Sequence, residues 1–213
     1  MVPLGLLAAF TLASVLIIII PGPTVLFVLG RSIAYGRRAG ILSVLGNALG
    51  MLPALVLVAV GVGTLVAQSA LIFTIVKLVG AAYLVYLGVH AIVTRRRASA
   101  DVEIAPPPRS ALRLVLEGVL VGATNPKTIA FFVAVLPQFV DRHAGPVPLQ
   151  LAELGLVFIL LALLLDSTWA LAAGTARDWF ARSPKRIERL SAAGGVMIIG
   201  LGGVLALSES RAT

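Results

Sequence analysis

The chain contains no cysteine, which excludes disulfides, thiol nucleophiles and thiolate metal ligands. Charge is nearly as scarce. Asp, Glu, Lys and Arg make up 12% of the residues, where a soluble domain carries about 25%. There are two histidines, His90 and His143, at or beyond the edges of apolar stretches, and neither has a second ligand at metal spacing. Aromatic residues are only 6%, and no basic run is interleaved with them, so the net charge of +8 does not indicate nucleic-acid binding. The poverty of reactive groups also argues against an enzyme. Aspartyl proteolysis needs two carboxylates sharing a proton, and only Asp166 lies deep in an apolar stretch. Serine proteolysis needs a Ser–His pair, and both histidines are peripheral. No metal or cofactor is expected.

What the chain has instead is oil. Hydrophobic residues are 59% of the total, against roughly 45–50% in soluble domains. Such a chain cannot cover itself with polar surface, so an all-α integral membrane protein is expected, because a bilayer offers no partner to unpaired backbone groups. The 213 residues form a single membrane domain with room for about six spans of ~20 residues. They are drawn at about 4–29, 39–66, 70–93, 112–139, 148–174 and 189–207. The N-terminal stretch lacks a basic n-region and runs on past signal-peptide length, so it reads as a retained span.

Thirteen of the 17 basic residues fall in the first, third and fifth connections, and only Arg142 and Arg211 in the others. The positive-inside rule then puts the odd connections in the cytoplasm and both termini outside. The third connection is charged and Pro-rich, which suggests a cytoplasmic linker over 94–111 between a first three-helix repeat, 1–93, and a second, 112–213. Three spans is an odd number, so the second repeat must be inverted relative to the first.

Residues 17–28, "IIIIPGPTVLFV", interrupt a span with Pro21-Gly22-Pro23, and "ATNPKTIAFF" repeats the feature 104 residues later. At that offset Thr24 meets Thr128, Val25 meets Ile129, Phe27 meets Phe131 and Arg38 meets Arg142. The first helix of each repeat is thus broken by proline. Proline removes a helix hydrogen bond, and in lipid the freed carbonyls survive only against protein or a wet cavity. Breaks at matching positions of inverted halves point to a central transport site, with a packing kink as the plainer alternative.

Intramembrane polar residues fill in the candidate site. Lys127, near mid-span, could bind a substrate carboxylate or cap broken-helix carbonyls. Asp166 could receive a substrate ammonium, carry a coupling proton, or form an internal ion pair with Lys77 or Lys127. Lys77 either takes part in ion coupling or snorkels to the outer interface. Asn47 offers a neutral polar group, flanked by Gly46 and Gly50 at close-packing positions. Glu117 and Glu153 read as interfacial. Gly-rich faces such as "GGVMIIGLGG" leave packing within a subunit and packing in a homo-oligomer both open.

Three stretches in order, "IPGPTVLFVLGRSIAYGRRAGILSVLG", "KLVGAAYLVYLGVHAI" and "NPKTIAFFVAVLPQFV", resemble the signature segments of the LysE/RhtB family of amino-acid exporters, over nearly the whole chain. The resemblance implies efflux of amino acids across a bacterial inner membrane, with proton entry as the coupled flux. Carried over by position, it places Pro21, Gly22, Pro23, Asn125, Pro126 and Lys127 at the central site. Exporters of lysine or arginine tend to have an acidic residue in the second span. Here Asn47 stands without a carboxylate, so the expected substrate is neutral or a small zwitterion such as homoserine, threonine or a branched-chain amino acid. A cationic amino acid, another small metabolite or an ion is the alternative.

Overall fold

A computed structural model of the protein describes residues 1–20, 22–62, 70–94, 110–175 and 184–207. Among the described residues the chain is helical, with no strand. Helix α1 (Leu4–Ile19) gives way to α2 (Pro23–Tyr35). Helix α3 (Arg37–Leu57) runs on into a π-helical turn, Val58–Val62. Helix α4 covers Ala70–Val93 and α5 covers Ala111–Ala123. Helix α6 (Pro126–Ala130) is short and continues through a π turn (Phe131–Val135) and a 3-10 turn (Leu136–Phe139). Helices α7 (Val147–Thr175) and α8 (Pro184–Leu207) complete the chain.

By length and apolarity, two helical stretches can cross a bilayer unaided, Arg37–Gly61 and Val147–Thr175. Two bent pairs raise the number to four. Helices α1 and α2 meet at 52°, and α5 and the Pro126–Phe139 segment at 42°. Helices α4 and α8 hold shorter apolar runs, Thr74–His90 and Ile198–Leu207. Six spans were expected; the described residues give two to four by this criterion. The linker expected over 94–111 lies outside the described residues, apart from Thr94 and residues 110–111.

The solvent preference of the surface is the reverse of a soluble protein's. Leu57, Leu120 and Leu164 are at least 65% exposed, whereas Asn47, Asn125, Lys127 and Asp166 are no more than 6% exposed. Only a hydrocarbon environment makes that distribution favourable.

Two features of the expected spans are corrected. Helix α2 extends to Tyr35, so Arg31 lies inside a helix and not in a connection. It is held there by an ion pair with Glu117 at 2.8 Å and by its guanidinium stacking on Phe27 and Tyr35. Helix α8 begins at Pro184, which puts Lys185, Arg186 and Arg189 on its first turns. The α2–α3 connection is Gly36 alone, at φ 84°, where its N–H caps the Ser32 carbonyl. That left-handed conformation is the one glycine adopts without strain.

Helices α3 and α5 are packed backbone to backbone. A Cβ at Gly46 or Gly50 would strike the carbonyl oxygen of Val115 or Val119, and one at Gly118 or Gly122 would strike that of Ser43 or Asn47. The small residues flanking Asn47 are therefore a close-packing face, and their partner face is Gly118 and Gly122. Helix α7 packs on α1, α2 and α3, and α8 packs on α4. In the latter contact Gly202 lies against the Ala81 carbonyl, while Gly200 and Gly203 face open space. The "GGVMIIGLGG" face is thus partly used within the subunit.

This packing makes a contrast that can be measured. Gly118→Leu should abolish monodisperse elution of the detergent-solubilised protein, because overpacking against backbone costs about 1–3 kcal/mol or more. Gly30→Ala, which has no atom within 4 Å of the new Cβ, should leave elution unchanged.

Candidate functional site

The two helix breaks meet in the interior. Pro21 lies outside the described residues, but Ile20 and Gly22 on either side of it are both at the junction. Helix α1 ends at Ile19, leaving its last carbonyls without intrahelical donors. The Lys127 ammonium donates to two of them, Ile17 O at 3.0 Å and Ile20 O at 2.9 Å. Lys127 belongs to the other break, two residues after Asn125, so each break supplies what the other lacks. A cation at a helix C-terminus also opposes the negative end of the macrodipole. Gly22 leaves room for this arrangement. A Cβ there would stand 3.2 Å from Lys127 Nζ.

From Asn125 a chain of side-chain hydrogen bonds crosses four helical segments. Asn125 caps α6, its carbonyl oxygen accepting from the Lys127 backbone N–H at 3.0 Å. Its amide donates to the Thr24 hydroxyl. Thr24 donates to Asn47 Oδ1 at 3.4 Å, and the Asn47 amide donates to Asp166 Oδ2 at 3.4 Å. All donors point the same way, ending on the carboxylate, so the bonds polarise one another. The last two are long compared with the usual 2.7–3.2 Å and are the weak joints of the chain.

The expected site residues therefore divide. Gly22, Asn47, Asn125, Lys127 and Asp166 are buried and converge. Pro23 does not join them; its ring is exposed. At the first position of α2 its fixed φ and missing N–H serve the helix start, which needs no inward-facing ring. Pro126, half-buried, occupies the same position in α6. Lys77 is only 4% exposed, so it does not snorkel to solvent. Gly80, one turn beyond it, packs on Ala134. Glu153 accepts from the Val2 backbone N–H, and Glu117 pairs with Arg31 and Arg113, as interfacial carboxylates do.

Thr24, at the centre of the chain of bonds, was not among the expected site residues. A signal was available, since the 104-residue offset pairs it with Thr128, and both are buried.

On the side of the site facing away from Arg31, five rings close together. Phe10 lies 5.9 Å from Phe131 and 5.4 Å from Phe139, and Phe158 lies 4.9 Å from Phe131 and 5.2 Å from Phe132. The arrangement is a buried polar cluster at paired helix breaks in an apolar helical protein. A family model described as LysE type translocator matches residues 15–209, so the chain belongs to the LysE family of translocators, as the sequence resemblance implied. It is 33% identical to a "Homoserine/homoserine lactone efflux protein" of Salmonella typhimurium, over 93% of this chain and 94% of that one. It is 36% identical to an "Uncharacterized membrane protein" of Vibrio cholerae (95% and 97%), and 29% identical to a "Leucine efflux protein" of Klebsiella pneumoniae (94% of each). No solved structure matches. The family and these names indicate a transporter and not an enzyme.

Lys127→Met should lower the melting temperature of the purified protein by several degrees. It leaves two buried carbonyls unpaired, at about 1–3 kcal/mol each. Ile129→Ala, a change at an exposed neighbouring position, should shift it by less than about 0.5 kcal/mol equivalent.

Proposed function

We propose that this chain exports a neutral or small zwitterionic amino acid, such as homoserine, threonine or a branched-chain amino acid, from the cytoplasm of a bacterium, by proton antiport across the inner membrane. The observation that carries the reading is the buried cluster itself. It holds one cation, Lys127, one carboxylate, Asp166, and neutral amides and a hydroxyl between them. A zwitterion presents the complementary pair. Asp166 and Asn47 suit its ammonium; Lys127 and the uncapped start of α2 at Gly22 suit its carboxylate. A cationic side chain would need a further acid, and none joins the described hydrogen bonds of the cluster.

Proton coupling rests on Asp166, a buried carboxylate that a proton can neutralise when no ammonium is present. Lys77, buried on α4, is the second candidate for ion coupling. Six spans as two inverted halves are supported by how the helices exchange partners. Helix α3 of the first half packs on α5 of the second, α7 of the second packs on α1 and α2 of the first, and α3 and α7 pack on each other. The basic residues at 31, 37 and 38 favour a cytoplasmic location for that end, with both termini outside.

Two measurements test this. Cells expressing the protein should accumulate homoserine, threonine or a branched-chain amino acid in the medium, and Asp166→Asn should abolish that at unchanged membrane abundance. If no member of an amino-acid panel including lysine and arginine is exported, the reading fails. For orientation, R142C should react with an impermeant thiol reagent on intact cells and R38C should not; the reverse pattern would invert the topology.

A further inference from the structure

Apart from Thr24, which bonds across helices, two sets of hydroxyl groups stand out in the described helices. Thr94, Thr124, Ser167, Thr168 and Thr175 each donate back to a carbonyl of their own helix, three or four residues earlier, at 2.5–2.7 Å. This is the ordinary way a helix satisfies such a group in an apolar setting. Ser14, Ser32 and Ser43 do not. Each is fully buried, and among the described residues none of their hydroxyls has a hydrogen-bond partner. A buried hydroxyl that declines an available helix carbonyl forgoes about 1 kcal/mol and carries a desolvation cost of similar size or more.

Two of the three lie on one line. Ser43 is one turn from Asn47 on α3. Ser32 is two turns beyond Thr24 on α2, on the same face. A Cβ at Gly40 would collide with Ser32 Oγ and stand 3.0 Å from the Ala170 side chain. Ala170 is one turn past Asp166 on α7, so Ser32 faces the junction of α2, α3 and α7 where Asp166 also sits. From Asp166 the order is Asn47, Ser43, then Ser32, after which come Arg37 and Arg38, both exposed. Small side chains, Gly40 and Ala170, border the line. Ser14 stands on the opposite side of the cluster, one turn before Ile17 and Ile18.

We propose that Ser32 and Ser43 line a wetted route connecting the Asn47–Asp166 pair with the arginine-bearing end, its occupant being water. Buried water bonds to about three polar groups and settles where such groups lack protein partners. Water on this line satisfies both hydroxyls, brings solvent to the long Asn47–Asp166 bond, and gives Asp166 a means of exchanging its proton with one bulk phase. The inference rests on the reading of that pair as a transport site, and assigns the side from which the site is reached.

The natural absence of cysteine allows a direct test in the full-length protein in membranes. S32C, S43C and the control L29C are treated with aminoethyl methanethiosulfonate, and the thiols left are counted after denaturation. Leu29 is as buried as either serine but belongs to an apolar cluster with Val25, Ile33 and Ala173. S32C and S43C should react at least roughly tenfold faster than L29C. Reaction no faster than at L29C overturns the route. The second measurement uses S43A, which keeps the packing. It should slow amino-acid efflux severalfold at unchanged melting temperature, whereas a dry, merely unsatisfied hydroxyl predicts unchanged efflux and an equal or higher melting temperature. Fast labelling at 32 and 43 with no efflux from the unmodified protein would refute the transport reading and leave the route standing. Normal efflux with slow labelling would do the opposite.

Discussion

Everything in the interior follows from the need to pair the two carbonyls at the end of α1. A helix stopped inside a bilayer leaves acceptors that water cannot reach, at a cost of several kcal/mol each if they stay empty. Here a single ammonium meets both Ile17 and Ile20, and it comes from the other helix break. That one contact fixes the depth of α6 relative to α1 and brings Asn125 within reach of Thr24. It also favours glycine at position 22, since a Cβ there would stand 3.2 Å from the Lys127 ammonium and press on its side chain. The two breaks are therefore a joint and not independent kinks. Either alone would be a defect.

A cation in the interior imposes its own requirement. Lys127 is too deep to reach solvent, and an uncompensated charge there is costly. Asp166 supplies the balancing charge, but the described bonds link the two through Asn125, Thr24 and Asn47 rather than by direct contact. An ion pair in direct contact would satisfy itself and offer nothing to a solute. Holding the charges apart across neutral donors and acceptors keeps both available, with the long bonds at Asn47 as the easiest to exchange. Close approach of α3 to α5 through four glycines is what holds Asn47 at the required height.

Much of this was legible in the sequence, and the rest was hidden for physical reasons. Proline and intramembrane charge have few structural meanings in lipid, so Pro126, Lys127 and Asp166 declared themselves. Of the two roles expected of Lys127, carbonyl capping is the one its hydrogen bonds show. Pro23 misled because a proline that begins a helix acts through its backbone, while its ring can point anywhere. Arg31 was assigned to a connection because a charge normally ends a span, yet an ion pair and two aromatic faces keep it within the helix. Ser14, Ser32 and Ser43 could not be separated by sequence from hydroxyls that bond back to their own helix. The distinction lies in rotamer and neighbours, which an apolar-all-round periodicity does not encode.

The two ends of the molecule are built from different materials, and this bears on how the site is reached. Beyond Phe131, four residues from Lys127, the rings of Phe10, Phe131, Phe139 and Phe158 pack against one another. Toward Arg31 the packing includes Gly40, Ala170 and Ser32, and the Arg31–Glu117 pair links α2 to α5. Ionic contacts near the membrane surface exchange readily with water, since each partner is nearly as well solvated apart as together. Separating packed rings exposes apolar area and has no such compensation. Parting the packed rings at the aromatic end therefore costs more than parting the ion pair at the other.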